Sequence, residues 1–269
     1  MKTLAGALAL CLSLAEPAAG EGPVTRDERA VKVDGVDETW RLEWLAVPRL
    51  VCQPLDASWS TCPCTGFAFG EAGELDLVRL RDASEIDRFH LTFFSNADMP
   101  PGAEGRFALQ RWPVRDIDAE AFERANANGR RDFRKRVQER KPVRILKLAD
   151  FDHDGWATEF VLQVRNKPCG QRPSILVGVS PGRPKLHAFG SADHPDRPLI
   201  LEAEAWKRLR DTQGSGGRFV ESACGDHGAV QQREVALRAD ASGIHAVRET
   251  YACDASGAKQ GDPVSRETL

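Results

Sequence analysis

Asp150-Phe-Asp152-His-Asp154-Gly155, with Glu159 a little further on, constrains this chain more than any other stretch of it. Three carboxylates on alternate residues, closed by a glycine, converge on one point when the backbone wraps into a tight loop. Such convergence is repulsive unless a cation sits among the oxygens, so the pattern expects a hard divalent ion, Ca2+ above others. The flanks indicate what the loop joins. Val143 to Leu148 alternates apolar and polar residues, and Glu159 to Arg165 alternates again through Phe160, Leu162 and Val164. A hairpin carrying an acidic loop is therefore expected over 143–165.

With Asp150 counted as the first position, acids occupy positions 1, 3 and 5 and Gly155 position 6, where a glycine permits the sharp turn. The backbone carbonyl of Trp156 is the next natural oxygen donor. An EF-hand needs a glutamate at position 12 between two helices, whereas here that residue is Val161 and the flanks read as strands. A dockerin-like reading fails at the same place. The loop resembles the calcium hairpin of FG-GAP and VCBS repeats, in which Asp-x-Asp/Asn-x-Asp-Gly joins two strands of a blade-like sheet. The resemblance covers one copy, about residues 143–190, and implies that Asp150, Asp152 and Asp154 are Ca2+ ligands. That family usually places an acid at position 9. Here Thr158 stands at 9 and Glu159 at 10, so Glu159, Thr158 or a water completes the set. The expected metal site is Asp150, Asp152, Asp154, Trp156 and Glu159.

The rest of the chain reads as mainly β, in antiparallel meanders of blade-like or sandwich-like sheets, with one longer and one short helix. Strands are expected over 39–47, 66–70, 74–80 and 85–93, with Gly70 and Gly73 turning a hairpin around the alternating Leu75-Asp-Leu77-Val-Arg-Leu80. Residues 96–105, with Pro100-Pro101, read as a loop. The longer helix spans Asp116 to Lys141, capped by Asp116 or Asp118, with Phe122, Ala125, Gly129, Phe133 and Val137 along one face. Its other face is basic, which in a net-acidic chain describes a solvated surface better than a phosphate-binding stripe. Strands over 143–148, 159–165, 174–180 and 185–189 make a four-stranded meander. A short helix covers 202–211, and a last hairpin joins 231–238 to 244–252 through a turn at 240–243.

Residues 1–20 carry Lys2, an apolar run from Leu4 to Leu14 and Ala18-Ala19-Gly20, the layout of a signal peptide cleaved before Glu21. Cys11 follows Leu10 rather than a small residue, so lipidation is disfavoured. Residues 21–36 are polar and read as a flexible leader, leaving 37–269 as one β-rich domain. No later segment has transmembrane length. A formal charge of −3 gives no general attraction to nucleic acid. Beyond Cys11, six cysteines remain: Cys52, Cys62, Cys64, Cys169, Cys224 and Cys253. An even set in an exported chain, periplasmic or extracellular, favours disulfides, and Cys62-Pro-Cys64 is too closely spaced for the usual zinc pair. Cys224 and Cys253 flank the last hairpin and form the preferred bridge.

Catalytic motifs are weak. Gly178-Val-Ser180-Pro-Gly182 matches a nucleophile elbow in letters, but such an elbow leads from strand into helix, and here a turn leads into another strand. No histidine pair has metal-binding spacing on a helix. The expected function is an exported, non-enzymatic binding or interaction module stabilised by one Ca2+, with a protein or carbohydrate ligand. The alternative is an exported hydrolase whose Ca2+ is structural or holds substrate. A pocket placing Ser180 beside a histidine and an acid favours the hydrolase, and exposed aromatics among Trp40, Trp44, Trp59, Trp112 and Trp156 favour binding.

Overall fold

The strands follow one another as β1 (Val24–Val33), β2 (Val36–Trp44), β3 (Arg49–Val51), β4 (Gly70–Gly73), β5 (Leu75–Arg81), β6 (Ser84–His90) and β7 (Phe107–Gln110). After helix α1 (Ala127–Gln138) come β8 (Glu159–Gln163), β9 (Pro173–Ser180), β10 (Arg183–Ala188) and β11 (Leu201–Glu202). Helix α2 (Ala203–Asp211) leads to β12 (Gly217–Ser222), β13 (Gln231–Asp240), β14 (Gly243–Ala252) and β15 (Ser265–Thr268). This computed structural model describes residues 22–53, 64, 67–91, 106–114, 118, 121–122, 124–166, 171–212 and 216–269. The expected signal peptide, the 96–105 loop, Trp59, Cys62 and Cys169 lie outside them. With 47% of the described residues in antiparallel strands and 14% in helices, the protein is mainly β.

Among the described residues the strands form four sheets, ordered β1-β2-β5-β6, β3-β4-β7, β12-β13-β14-β15, and a central one in which β9 pairs with β8, β10 and β11. Strand β9 is buried along nearly its whole length, the pattern of a strand covered on both faces. Ile175, Val177 and Val179 pack with Trp40, Leu42, Trp44, Leu75 and Leu77 of the first sheet. Leu176 points the other way, into a core with Trp206 and Leu209 of α2 and Val235 and Leu237 of β13. Trp206 is anchored there by its indole N–H, which donates to the Ser174 carbonyl at 3.0 Å.

Several expectations need correction. Residues 21–36 are not a flexible leader, because β1 occupies most of them and pairs with β2 from Val24↔Trp44 to Val33↔Val36. The turn between them is Asp34-Gly35, both at positive φ (47° and 76°), the geometry of a two-residue type I′ hairpin. Gly70 and Gly73 do not turn a hairpin. They bound β4, which pairs with β3 and β7, and a Cβ on Gly70 would lie 2.4 Å from the Phe67 carbonyl oxygen. The β5–β6 hairpin turns instead at Asp82-Ala83. Of the helix expected over 116–141, residues 118, 121–122 and 124 are helical and Asp116 lies outside the described residues. The helix breaks at 125–126, and α1 then starts afresh, capped by Asn126, whose side chain accepts from the Gly129 N–H. Its apolar face holds as read: Phe133 and Val137 pack with Phe122, Ala68 and Phe69.

Residues 143–148 alternate like a strand but form no ladder. A bulge in β1 at Arg26 lets Asp27 reach across, and one oxygen, Oδ2, accepts the backbone N–H groups of Ile145 (2.7 Å) and Leu146 (2.9 Å). Arg26 donates to the Val143 carbonyl and Arg29 to that of Leu146. Side chains therefore replace ladder bonds along this segment. Arg26 also pairs with the buried Glu71. Cys224–Cys253 is bridged as preferred, and Cys52–Cys64 forms a second disulfide. No helix among the described residues is long and apolar enough to cross a membrane.

Candidate metal centre

The loop between 149 and 159 is closed by a pair of backbone bonds. Ala149 N–H donates to the Glu159 carbonyl at 2.9 Å, and Glu159 N–H returns to the Ala149 carbonyl at 3.2 Å. Inside this clasp the chain turns through His153 (φ 61°) and Gly155 (φ 93°), both left-handed. Three aspartates cap the turn from within. Asp152 Oδ1 accepts from Asp154 N–H (3.2 Å), Asp150 Oδ2 from Gly155 N–H (3.1 Å), and Asp154 Oδ1 from Trp156 N–H (2.7 Å). The Asp152 and Asp154 bonds are Asx-type, while that of Asp150 spans five residues; each satisfies a loop amide with one carboxylate oxygen and leaves the other oxygen to point elsewhere.

Carboxylate oxygens of Asp150, Asp152 and Glu159 lie within 4.8 Å of one another. Glu159 is fully buried and Asp152 nearly so. Asp154 stands outside this group of three, but its Oδ2 and Asp150 Oδ1 are both buried and receive no hydrogen bond. A buried anionic acceptor without a donor is costly, and a divalent ion bound by oxygen offsets such a cost. This donor set, all hard oxygen, suits Ca2+ rather than zinc. Of the two side chains that could complete the set, Glu159 joins the cluster. Thr158 turns its hydroxyl to Glu159 Oε1 (2.7 Å) and the Val179 carbonyl (2.8 Å). Trp156 is tied to the loop by its N–H, and its ring packs against the first core.

Electrostatics agree with the geometry. Burial, and then the charge of Asp152, push the Glu159 carboxyl up to about 9. Burial, and then Asp154, push Asp152 up to about 6. Asp154 is raised as well, chiefly by burial. The Thr158 hydroxyl, within reach of both Glu159 Oε1 and the Val179 carbonyl, is the donor to the carboxylate, and Oε2 accepts the Phe151 N–H at 2.9 Å. At neutral pH the ion-free cluster thus holds a proton that a cation has to displace.

His153 is not placed as a base. Its Nε2–H donates to the Leu209 carbonyl at 2.9 Å, satisfying a carbonyl at the end of α2 and fastening the loop to that helix. The Phe151 ring, under the Arg210 guanidinium at 5.7 Å, adds a second fastening.

Ser180, His187 and Asp152 line one cavity of about 150 Å³ beside the loop. Ser180 ends β9 and the chain turns directly into β10, so the elbow context is absent. Among the described residues no hydrogen bond joins Ser180 to His187. The imidazole Nδ1–H donates to the Lys185 carbonyl at 2.9 Å, and its ring lies on Phe189. Trp40 and Trp44 are core residues, and Trp112 and Trp156 are half-buried, so the described tryptophans form no exposed binding face. No protein-family model, curated protein or solved structure matches this chain.

Proposed function

We propose that the protein is an exported, Ca2+-stabilised β-rich binding module, with the ion held by Asp150, Asp152, Asp154, the Trp156 carbonyl and Glu159. The observation that carries this reading is the pair of buried, undonated oxygens on Asp150 and Asp154 beside a three-carboxylate cluster. The two disulfides are compatible with an oxidising compartment. The ion's role is structural: it ties the entry of β8 to the loop that grips α2, and so links the central sheet to the second core. The loop's likeness to the FG-GAP and VCBS hairpin belongs to the same proposal.

An exported hydrolase is the second reading, supported by the cavity that Asp152 shares with Ser180 and His187. The missing nucleophile–base hydrogen bond weighs against it. Terbium luminescence tests the first reading. Tb3+ added to the oxidised protein should be sensitised through Trp156 and displaced by Ca2+ but not by equal Mg2+. Unsensitised Tb3+, or displacement by Mg2+ at the same concentration, contradicts a Ca2+ loop.

A further inference from the structure

A second feature stands apart from the loop and does not depend on its ion. A cleft of about 300 Å³ opens between the start of β9 with β11 and the strands β12, β13 and β14. That size suits a small metabolite. Three arginines line it: Arg165, Arg233 and Arg248.

Arg248 is already satisfied. Glu221 grips it as a fork, at 2.8 Å to Nε and 3.0 Å to one terminal nitrogen, and Glu267 takes the other at 3.2 Å. Neither Arg165 nor Arg233 has a carboxylate partner among the described residues. Arg165 Nε is buried without an acceptor, and Arg233 Nε reaches only the Ser222 hydroxyl, at 3.4 Å. Both guanidinium groups thus line the cleft with no carboxylate partner among the described residues, and the planar guanidinium fork matches that of a bound carboxylate.

The remaining lining refines the ligand. Glu202 and Glu221 stand in the same cleft. They oppose a doubly charged phosphate more than a single carboxylate, and with Ser222 they supply partners for hydroxyl groups. We propose that this cleft binds a small hydroxylated carboxylate of the sugar-acid class, with Arg165 and Arg233 on the carboxylate and Glu202 and Ser222 on the hydroxyls.

Isothermal titration of the oxidised protein with D-glucuronate, D-glucose and inorganic phosphate in millimolar Ca2+ tests this. Glucuronate should bind saturably, with a Kd of about 1 mM. Glucose should not bind, and Arg165→Gln and Arg233→Gln should each weaken glucuronate by about tenfold or more, as expected for a lost charge-assisted contact. Arg233 is exposed, so its variant should melt with the parent and separate loss of binding from loss of fold. No saturable glucuronate binding by the parent protein overturns the proposal. So does equal binding of glucose, preference for phosphate, or unchanged affinity in both variants.

Discussion

Glu159→Gln isolates the proton that the ion has to displace. With Glu159 pushed up to about 9 and Asp152 to about 6, the ion-free cluster at pH 7 keeps Glu159 neutral. Removing a proton held about two units above the working pH costs about 3 kcal/mol, roughly a hundredfold in apparent affinity. Since the carboxylates titrate as one set, the expectation attaches to the cluster. The apparent Ca2+ Kd should fall about tenfold per pH unit from about 6 to about 9, more steeply below 6, and level off above 9. Isothermal titration near pH 7.5 in two buffers of different ionisation enthalpy should report about one proton released per ion. In Glu159→Gln the proton release and the slope between those pH values should vanish, while affinity at high pH drops for want of the charge. The same shift fixes the sign for stability. A folded pKa above the unfolded value means the folded state binds more protons between about 4.5 and 9, so ion-free stability falls as pH rises through that window. Ca2+ should therefore stabilise more at pH 8 than at pH 6. A Kd that is flat from pH 6 to 9, with no proton released, refutes the reasoning.

Asp27→Ala should leave two amides without their acceptor, costing about 1–3 kcal/mol, and native-state hydrogen exchange should show faster exchange at Ile145 and Leu146 than elsewhere. Gly178→Ala should destabilise despite better strand propensity, because its Cβ would stand 2.3 Å from the Thr158 carbonyl oxygen and 2.9 Å from Glu159 Cα. Denaturant melts should show a lower midpoint, and Ca2+ affinity should fall with it. Among the disulfides, replacing Cys224 and Cys253 with serine should cost about 3.6 kcal/mol against about 2.8 for Cys52 and Cys64, from loop spans of 29 and 12 residues. Chemical denaturation of the two double variants compares them directly.

Local patterns proved readable where one segment decides its own fate. The alternation in β5, the hairpin of β13 and β14, and the bridge at its ends all follow from residues near one another in sequence. The acid loop did too, since alternate aspartates and a glycine can only curl inward. Strand β1 carries a strong hairpin signal in Val33-Asp34-Gly35-Val36, but the polar residues of an edge strand hide its apolar alternation. Residues 143–148 could not be read correctly from the segment alone. What satisfies their amides is Asp27, more than a hundred positions away and aimed by a bulge. The cleft has the same character, because Arg165, Arg233 and Arg248 come together only through the packing of two sheets. His153 likewise looked like a loop residue until the end of α2 supplied its acceptor.

Thermal unfolding of the oxidised protein in EDTA and in millimolar Ca2+, with Mg2+ as control, for the parent chain and Asp152→Ala, addresses the central claim most directly. At a hundredfold excess of Ca2+ over its Kd, linkage contributes about 2.7 kcal/mol. For a chain of this size that is a rise in Tm of roughly 5–10 °C. The account predicts that rise for the parent protein in Ca2+ alone and its loss in Asp152→Ala. An identical Tm in EDTA and Ca2+ for the parent protein, or an equal rise in the variant, contradicts it.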